Sequence, residues 1–451
     1  MKPRAAFTDG HILLGLIFAA FALKLAFVAM VLPHYEVQLS PTYGIDRGDL
    51  YDRLAKSLLN GEGYRFTPDT APTLLREPGY PIFLVAISSL TGYSVTLVRI
   101  ANLVLTSLSA WLVAVLVRRL TTHRAAYFLG PLLFTLHPGV LIADLRVGVE
   151  PLFTFLLLCF LLTLSSALRS RRTSGFIIAG VALGFVVSVR STALLFPLCL
   201  PLYFLIWDRP HARPAGLLKQ LAALYCACML VLTPWILRNY ALVHQFVPTA
   251  SVFGTSAHSG YYMCTHEDGD KTRAELDVEA ALLRGDLAQA QGYRVQRRYY
   301  QFFYDARDEV AFNRFLAKTV FKQYLDSPQL FARCAAENAF NFWFRGKDRT
   351  VTMANILVQL PYLVLGVLGM LFCMRRSDPA TLGPLLLYLA YGMAIYLPIL
   401  AQARYSIPLV PLLAAFSAIA LCRLLWPRNM HQGDRPFMPP AAEQAPSELP
   451  R

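Results

Sequence analysis

The sequence predicts an all-α polytopic membrane protein of about ten transmembrane helices with two large loops on the outer face. Three observations predict it. The 451-residue chain is 56 % hydrophobic and only 16 % charged, with a positive mean hydropathy, a balance that suits lipid as the main solvent. Apolar runs of about 20 residues, the length needed to cross a hydrocarbon core as a helix, recur along the chain. The basic residues behind the net charge of +14 fall in short clusters between those runs, such as Arg118-Arg119 and Arg375-Arg376. That is the pattern of cytoplasmic loops, so no nucleic-acid partner is expected.

In chain order the expected spans run approximately over 11–33, 95–117, 124–143, 149–168, 175–190, 192–207, 217–237, 353–374, 380–400 and 405–425. With Lys2 and Arg4 inside, the inner loops become Arg118–Arg124, Arg169–Arg172, Asp208–Lys219, Arg375–Asp378 and the tail from Arg423, all basic. The outer segments become 34–94, Asp144–Gly148, the turn near Arg190, 238–352 and the turn near Arg404. A span at Tyr80–Gly92 would invert every later loop, so that run reads as a short helix against the bundle. The first span is longer than a usual signal core and no A-x-A-like site follows it, so it is expected to be retained. Lys24, near its middle, is expected to face the bundle interior and pair with a carboxylate. Residues 1–425 thus read as one transmembrane unit, and the Pro-rich polar tail 426–451 as disordered.

The second long loop has the content to fold. A Gly- and Ser-rich start at Val252–Tyr262 leads into a charged helical stretch from Arg273 to Ala306, then an aromatic-rich helix from Leu330 to Phe344. Cys264 and Cys334 both lie in it, and an oxidising compartment permits them to pair; the other six cysteines lie in or beside spans and behave as small apolar residues. No Cys/His cluster has structural-zinc spacing. His258 and His266 beside Glu267, Asp268 and Asp270 read as a solvated loop, so neither metal nor cofactor is expected.

The chemistry is therefore assigned to carboxylates and arginines that the topology gathers on one face: Asp46, Asp49, Asp52, Arg76, Glu77, Asp144, Arg146, Glu150, Arg190, Arg238 and Arg404. Ionisable groups at such positions default to functional or pairing roles because lipid does not solvate them. Arginine presents a planar donor fork that matches phosphate, so Arg404, Arg190 and Arg238 suit a clamp for a phosphorylated lipid, with Arg76 near the acidic loop.

Several stretches then carry a family resemblance: Tyr51–Ala55, Gly61–Tyr64, Arg76–Leu84, Val149–Phe153, Gly184–Arg190, Thr233–Tyr240 and Ala403–Pro411. Taken in order, they resemble the GT-C class of polyprenyl-phosphate-sugar-dependent glycosyltransferases, similar to protein O-mannosyltransferases and to transferases that add aminoarabinose to lipid A. The resemblance implies a membrane-embedded polyprenyl-phosphate sugar as donor and an inverting transfer to an acceptor hydroxyl on protein, lipid or glycan at the outer face of a plasma (inner) membrane. It also implies an acid-loop aspartate as base, which suits a hydroxyl that must lose its proton as the new bond forms. Glu150, Tyr51 and Tyr405, inside these stretches, are the expected supporting residues.

One position departs from the pattern. The family aspartate commonly lies about four residues before the tyrosine of Y-x-x-L-A, where this chain has Arg47, flanked by Asp46 and Asp49. The reading favours Asp46 as base, because Asp49 suits the N-terminal turn of a Leu50–Asn60 helix. A transporter or flippase for lipid-linked sugars, or an oligosaccharide polymerase or ligase, is the alternative; a transferase predicts a cavity in which Asp46 or Asp49 faces Arg404.

Overall fold

Backbone groups in lipid have no water to bond, so the apolar runs satisfy them within their own segments by forming helices. The computed structural model describes residues 3–36, 49–89, 91–208, 214–266, 271–296, 301–374 and 376–426. In chain order the first helices are α1 (Asp9–Glu36), α2 (Tyr51–Leu59), α3 (Gly79–Ser88), α4 (Val95–Leu120), α5 (Arg124–Leu136), α6 (Pro138–Leu145), α7 (Glu150–Ser170) and α8 (Thr173–Val189). Then come α9 (Leu200–Trp207), α10 (Pro214–Val243), α11 (Phe253–Thr265), α12 (Arg273–Ala290), α13 (Ala306–Asp326), α14 (Pro328–Trp343), α15 (Arg349–Met374), α16 (Pro379–Ala394) and α17 (Val410–Leu425). A short antiparallel ribbon, β1 (Val295–Gln296) and β2 (Phe302–Phe303), pairs Val295 with Phe303.

Among the described residues six helices are long and apolar enough to cross a membrane: α1, α4, α7, α10, α15 and the stretch Ala403–Leu425 that ends in α17. Helices α5 and α6 make a seventh candidate, bent by 53°. The bend has a local cause: Pro138 keeps the preceding residue out of the helical region, and His137 is extended with ψ 123. The expected fifth, sixth and ninth spans are shorter, so ten crossings are not established. Helix α8 has 17 residues and α16 has 16, about 24–26 Å at 1.5 Å per residue against a core of about 30 Å. Between α8 and α9 the chain makes 3₁₀ turns at Ser191–Ala193 and Phe196–Cys199, the second carrying Pro197 in its first turn. The Tyr80–Gly92 run forms the ten-residue α3, too short to span, in keeping with its reading as a short helix.

Large apolar side chains face outward on these helices, including Phe18, Leu23, Leu230 and Leu357, as expected where the outer solvent is lipid. Inside, α7 and α17 carry the densest core, with Leu157, Phe160, Leu164 and Phe416 fully buried. Small residues bring helices together, the usual device where no hydrophobic force drives apolar helices to associate. A Cβ on Gly180 of α8 would sit 2.2 Å from the Leu224 carbonyl oxygen of α10, and one on Gly369 of α15 would sit 2.0 Å from that of Phe416. Lys24 pairs with the buried Asp144 at 2.7 Å, and Thr106 Oγ1 donates to the other oxygen of that carboxylate at 2.5 Å. The lysine thus has the interior carboxylate its position demanded.

The second long polar segment folds over one end of the bundle. Its charged stretch stops earlier than its composition suggests: α12 starts at a reciprocal Thr272/Glu275 cap and ends at Ala290, and Gly292 (φ +82) turns the chain into the ribbon. Cys264 and Cys334 form a disulfide between α11 and α14. Glu309 of α13 is buried and accepts from Thr73 Oγ1 and from the Leu74 N–H, both at 2.7 Å. This carboxylate clasps the first long segment to the second, and burial pushes its carboxyl up to about 7. The tail 427–451 and Asp46 lie outside the described residues.

Candidate active site

A cavity of about 1380 Å³ opens where the start of α2, the turn between α6 and α7, the end of α8 and the 3₁₀ turn Ala403–Leu409 meet beneath α11, α12 and the start of α15. Its volume exceeds a typical small-ligand pocket of about 300–1,000 Å³ and leaves room for two substrates.

Asp49 and Leu50 both have positive φ, 43° and 70°, a conformation that non-glycine residues seldom adopt. The turn carries Asp49 away from the helix that follows. Helix α2 begins at Tyr51 with Leu50 as its N-cap and no side-chain cap, which corrects the expectation that Asp49 serves the helix start. Its carboxylate instead meets Arg404 Nη1 at 2.5 Å. A whole guanidinium charge in a partly buried site outweighs the half charge of a helix terminus. Burial alone raises the Asp49 carboxyl, but Arg404, Arg146 and Arg76 together overcome it and hold it down to about 2. Arg404 is oriented further by its Nε, which donates to Gln402 Oε1 at 2.9 Å.

Arg190 ends α8 in an extended conformation, and the next residue is pinned by Glu77, whose Oε1 accepts from the Ser191 N–H at 2.9 Å. Its guanidinium lies 4.5 Å from the centre of the Tyr405 ring, with Tyr396 at 5.7 Å and Phe153 at 5.9 Å. Arg190 Nη1 is buried and has no hydrogen-bond partner among the described residues. A cation held on aromatic faces with an unsatisfied donor is a ready anion site. Arg76 donates from Nε to the Asp49 carbonyl oxygen at 3.3 Å and lies over the Tyr51 ring. Tyr51 packs edge-on against Tyr80, and burial raises its phenol. Glu150, buried at the start of α7, lines the same wall.

Arg238 does not join them. It is absent from the cavity wall and spends its donors on the Thr73 carbonyl oxygen at 2.9 Å, Asn239 Oδ1 at 3.0 Å and the Tyr64 carbonyl oxygen at 3.5 Å. Stacked on Trp235, it ties α10 to the first long segment. Asp144 is likewise occupied by Lys24 and Thr106. Among the described residues no group of three His, Cys, Asp or Glu stands close enough to hold a metal ion; Glu267, Asp268 and Asp270 lie outside them.

The cavity also brings in residues that sequence reasoning left out of the site. Arg146 faces Asp49 from the α6–α7 turn; its place among the outer charges was visible, its approach to Asp49 was not. Arg345 and Lys347 come from the segment between α14 and α15, and His137 and Gln359 from the bundle wall. The His137-Pro138 pair was the available signal for a break at the wall.

Residues 73–237 match the family described as dolichyl-phosphate-mannose-protein mannosyltransferase. No curated protein matches the chain. Among solved structures, the oligosaccharyltransferase of Archaeoglobus fulgidus in the apo form is similar over 92 % of this chain and 50 % of its own, with 14 % identity and a TM-score of 0.52. ArnT from Cupriavidus metallidurans bound to undecaprenyl phosphate is similar over 90 % of this chain and 77 % of its own, with 12 % identity and a TM-score of 0.37. The chain spans about half the length of the archaeal enzyme. Its fold is the GT-C fold, as the ordered stretches implied.

Proposed function

We propose that this protein is a membrane glycosyltransferase that moves a sugar from a polyprenyl-phosphate donor to an acceptor hydroxyl, with inversion at the anomeric carbon. The observation that carries the reading is the buried Nη1 of Arg190, without a hydrogen-bond partner among the described residues, beside the Asp49–Arg404 pair in a cavity larger than a typical small-ligand pocket. The family match over 73–237 supports it, since that stretch contains Arg76, Glu77, Glu150 and Arg190.

In this mechanism the acceptor oxygen attacks the anomeric carbon while the bond from that carbon to the phosphate oxygen breaks. The electron pair leaves with the phosphate, and the acceptor proton passes to a carboxylate. Asp49 is assigned as that base, because it is ionised at neutral pH and faces the clamp; Asp46 is the competing assignment within the same loop. Arg404 and Arg190, with Arg76 and Arg146 behind them, stabilise the negative charge that develops on the departing phosphate. Tyr405 and Tyr51 supply the aromatic faces on which Arg190 and Arg76 rest, and Glu150 balances the cationic wall. When the donor phosphate engages Arg404, Asp49 loses its main counter-charge and becomes a stronger base at the moment it is needed.

The site is assigned to the outer face of the plasma (inner) membrane, with both termini in the cytoplasm. The test is transfer by the purified protein from a panel of polyprenyl-phosphate sugars to protein, lipid and glycan hydroxyls, with the product anomer read by NMR. Transfer with inversion is expected; sugar movement across a vesicle membrane without transfer would instead make the protein a transporter.

A further inference from the structure

Between α16 and the turn Ala403–Leu409 the chain runs through residues 395–402 without a regular helix. Helix α16 ends at Ala394, the residue whose carbonyl the Pro398 ring would crowd if the helix continued. This strap delivers Arg404 to the cavity. Ala401 in it is fully buried and Ile399 nearly so, and buried irregular backbone must find its hydrogen-bond partners elsewhere.

The second long segment supplies them. Asn338 Nδ2 of α14 donates to the Leu397 carbonyl oxygen at 3.0 Å and to that of Ile399 at 2.6 Å. Arg273 Nη2, at the start of α12, donates to the Ala401 carbonyl oxygen at 2.8 Å. The Leu400 N–H in turn donates to the Ser256 carbonyl oxygen of α11 at 3.1 Å. Helix α11 approaches this closely because Gly260 has no side chain: a Cβ there would sit 2.6 Å from the Ile399 carbonyl carbon.

Asn338 is central to the arrangement. It is 3 % exposed, and one amide nitrogen serves two strap carbonyls. Cys334, Asn338 and Phe342 share one face of α14 at i, i+4 spacing. The Cys264–Cys334 disulfide fixes that face against α11, and Phe342 packs on Tyr396 with ring centres 5.5 Å apart. Tyr396 also stacks on Tyr405, the ring on which Arg190 rests. The near end of the strap is thus held by aromatic contacts, while the stretch from Leu397 toward Arg404 depends on Asn338 and Arg273.

We infer that Asn338 is a positioning residue for the donor-phosphate clamp: by holding the Leu397 and Ile399 carbonyls it sets where Arg404 stands. It is absent from the cavity wall, so it acts without touching the donor. A guanidinium fixed before the phosphate arrives gives up less freedom on binding than a mobile one, and the tie therefore raises donor affinity through Arg404. The inference rests on the transferase reading and adds to it that the second long segment sets the geometry of the donor site it covers.

The test is a double-mutant cycle on equilibrium binding of bare undecaprenyl phosphate to the full-length protein in nanodiscs. Asn338→Leu removes the amide donors at similar size. In the wild-type background it should weaken binding about 10-fold, part of the roughly 10–100-fold that one charge-assisted phosphate contact is worth. In an Arg404→Ala background it should change binding by less than about 2-fold. In an Arg190→Ala background its loss of about 10-fold should persist, because Tyr396 and Tyr405 hold Arg190 separately. Asn338→Ser keeps one donor in a smaller side chain and should show the same pattern with a smaller loss, so the cycle stays decisive if the leucine variant does not fold. Equal losses in the wild-type and Arg404→Ala backgrounds would make Asn338 a residue of the fold only and overturn the inference. Unchanged binding in every Asn338 variant that folds overturns it as well, and both results leave the transferase reading intact. A wild type that binds no polyprenyl phosphate overturns the transferase reading, and this inference with it.

Discussion

Replacing Asp49 with asparagine separates chemistry from binding at a single atom. The variant keeps the size of the side chain and an oxygen for Arg404 Nη1, but it loses the negative charge and the ability to take a proton. A general base is worth about 10²–10⁴-fold in turnover, or about 3–5 kcal/mol of barrier, so turnover should fall by that factor. Donor affinity should move the other way. The Asp49–Arg404 contact is a charge-assisted bond of 2.5 Å, a type worth about 1.5–3 kcal/mol when shielded. Both side chains are partly exposed, Arg404 by 22 % and Asp49 by 29 %, and solvent screening reduces the value to about 1 kcal/mol. A phosphate that must displace Asp49 from Arg404 should therefore bind the variant equally well or up to about fivefold more tightly. The assay is single-turnover transfer together with equilibrium binding of bare undecaprenyl phosphate, at matched protein levels. Turnover and affinity falling together would assign Asp49 to the fold; full activity in Asp49→Asn with none in Asp46→Asn would transfer the role to Asp46. Because the Asp49 carboxyl is held at about 2, it stays ionised until the pH falls toward that value. The free enzyme should accordingly show no acid limb from this residue between pH 5 and 8.

Arg190→Ala should weaken bare-carrier binding by about 10–100-fold, the worth of one charge-assisted phosphate contact, and Arg190→Lys should restore only part of it. Arg238→Ala should leave that affinity unchanged and cost about 1–3 kcal/mol of stability, since its donors hold the Thr73 and Tyr64 carbonyls; thermal unfolding in detergent compares the two variants. The Glu309 carboxyl is raised from 4.5 to about 7, so between those values the folded protein retains a proton that the unfolded chain has lost. Stability should fall as pH rises from about 4.5 to about 7, by at most about 3 kcal/mol, and then level off; Glu309→Gln should flatten that dependence, and an unchanged slope would refute the burial argument. An introduced thiol at Asn60, an exposed position, should react with a membrane-impermeant reagent from outside the cell, because the basic loops place residues 34–94 there. Labelling only after the inner face is opened would overturn the assigned orientation.

Hydropathy and charge made the bundle legible. The spans at 95–117 and 149–168 appear within a few residues as α4 and α7, and Lys24 announced an interior carboxylate through its cost in lipid. Crossing number was less accessible, because the length of an apolar run does not say where the helix inside it breaks. Pro138 and Pro197 mark two of those breaks. The residue types of the site were visible, since arginines and carboxylates at span ends are few and expensive. Their partners were not. Arg190, Arg238 and Arg404 looked equivalent as candidate clamp residues, yet packing stacks Arg190 on Tyr405, engages Arg404 with Asp49 and ties Arg238 to loop carbonyls.

The sequence by itself determined the solvent this protein folds in, the helical class and the stock of charged side chains available at one face, because transfer free energies add up residue by residue along a run. Only the tertiary structure decided which carboxylate meets which arginine across 355 positions of chain, and that Asp49 turns toward Arg404 instead of capping α2. Those outcomes depend on ångström-scale distances between segments remote in sequence, where Coulomb energy and desolvation change steeply, and no local pattern in the chain encodes them.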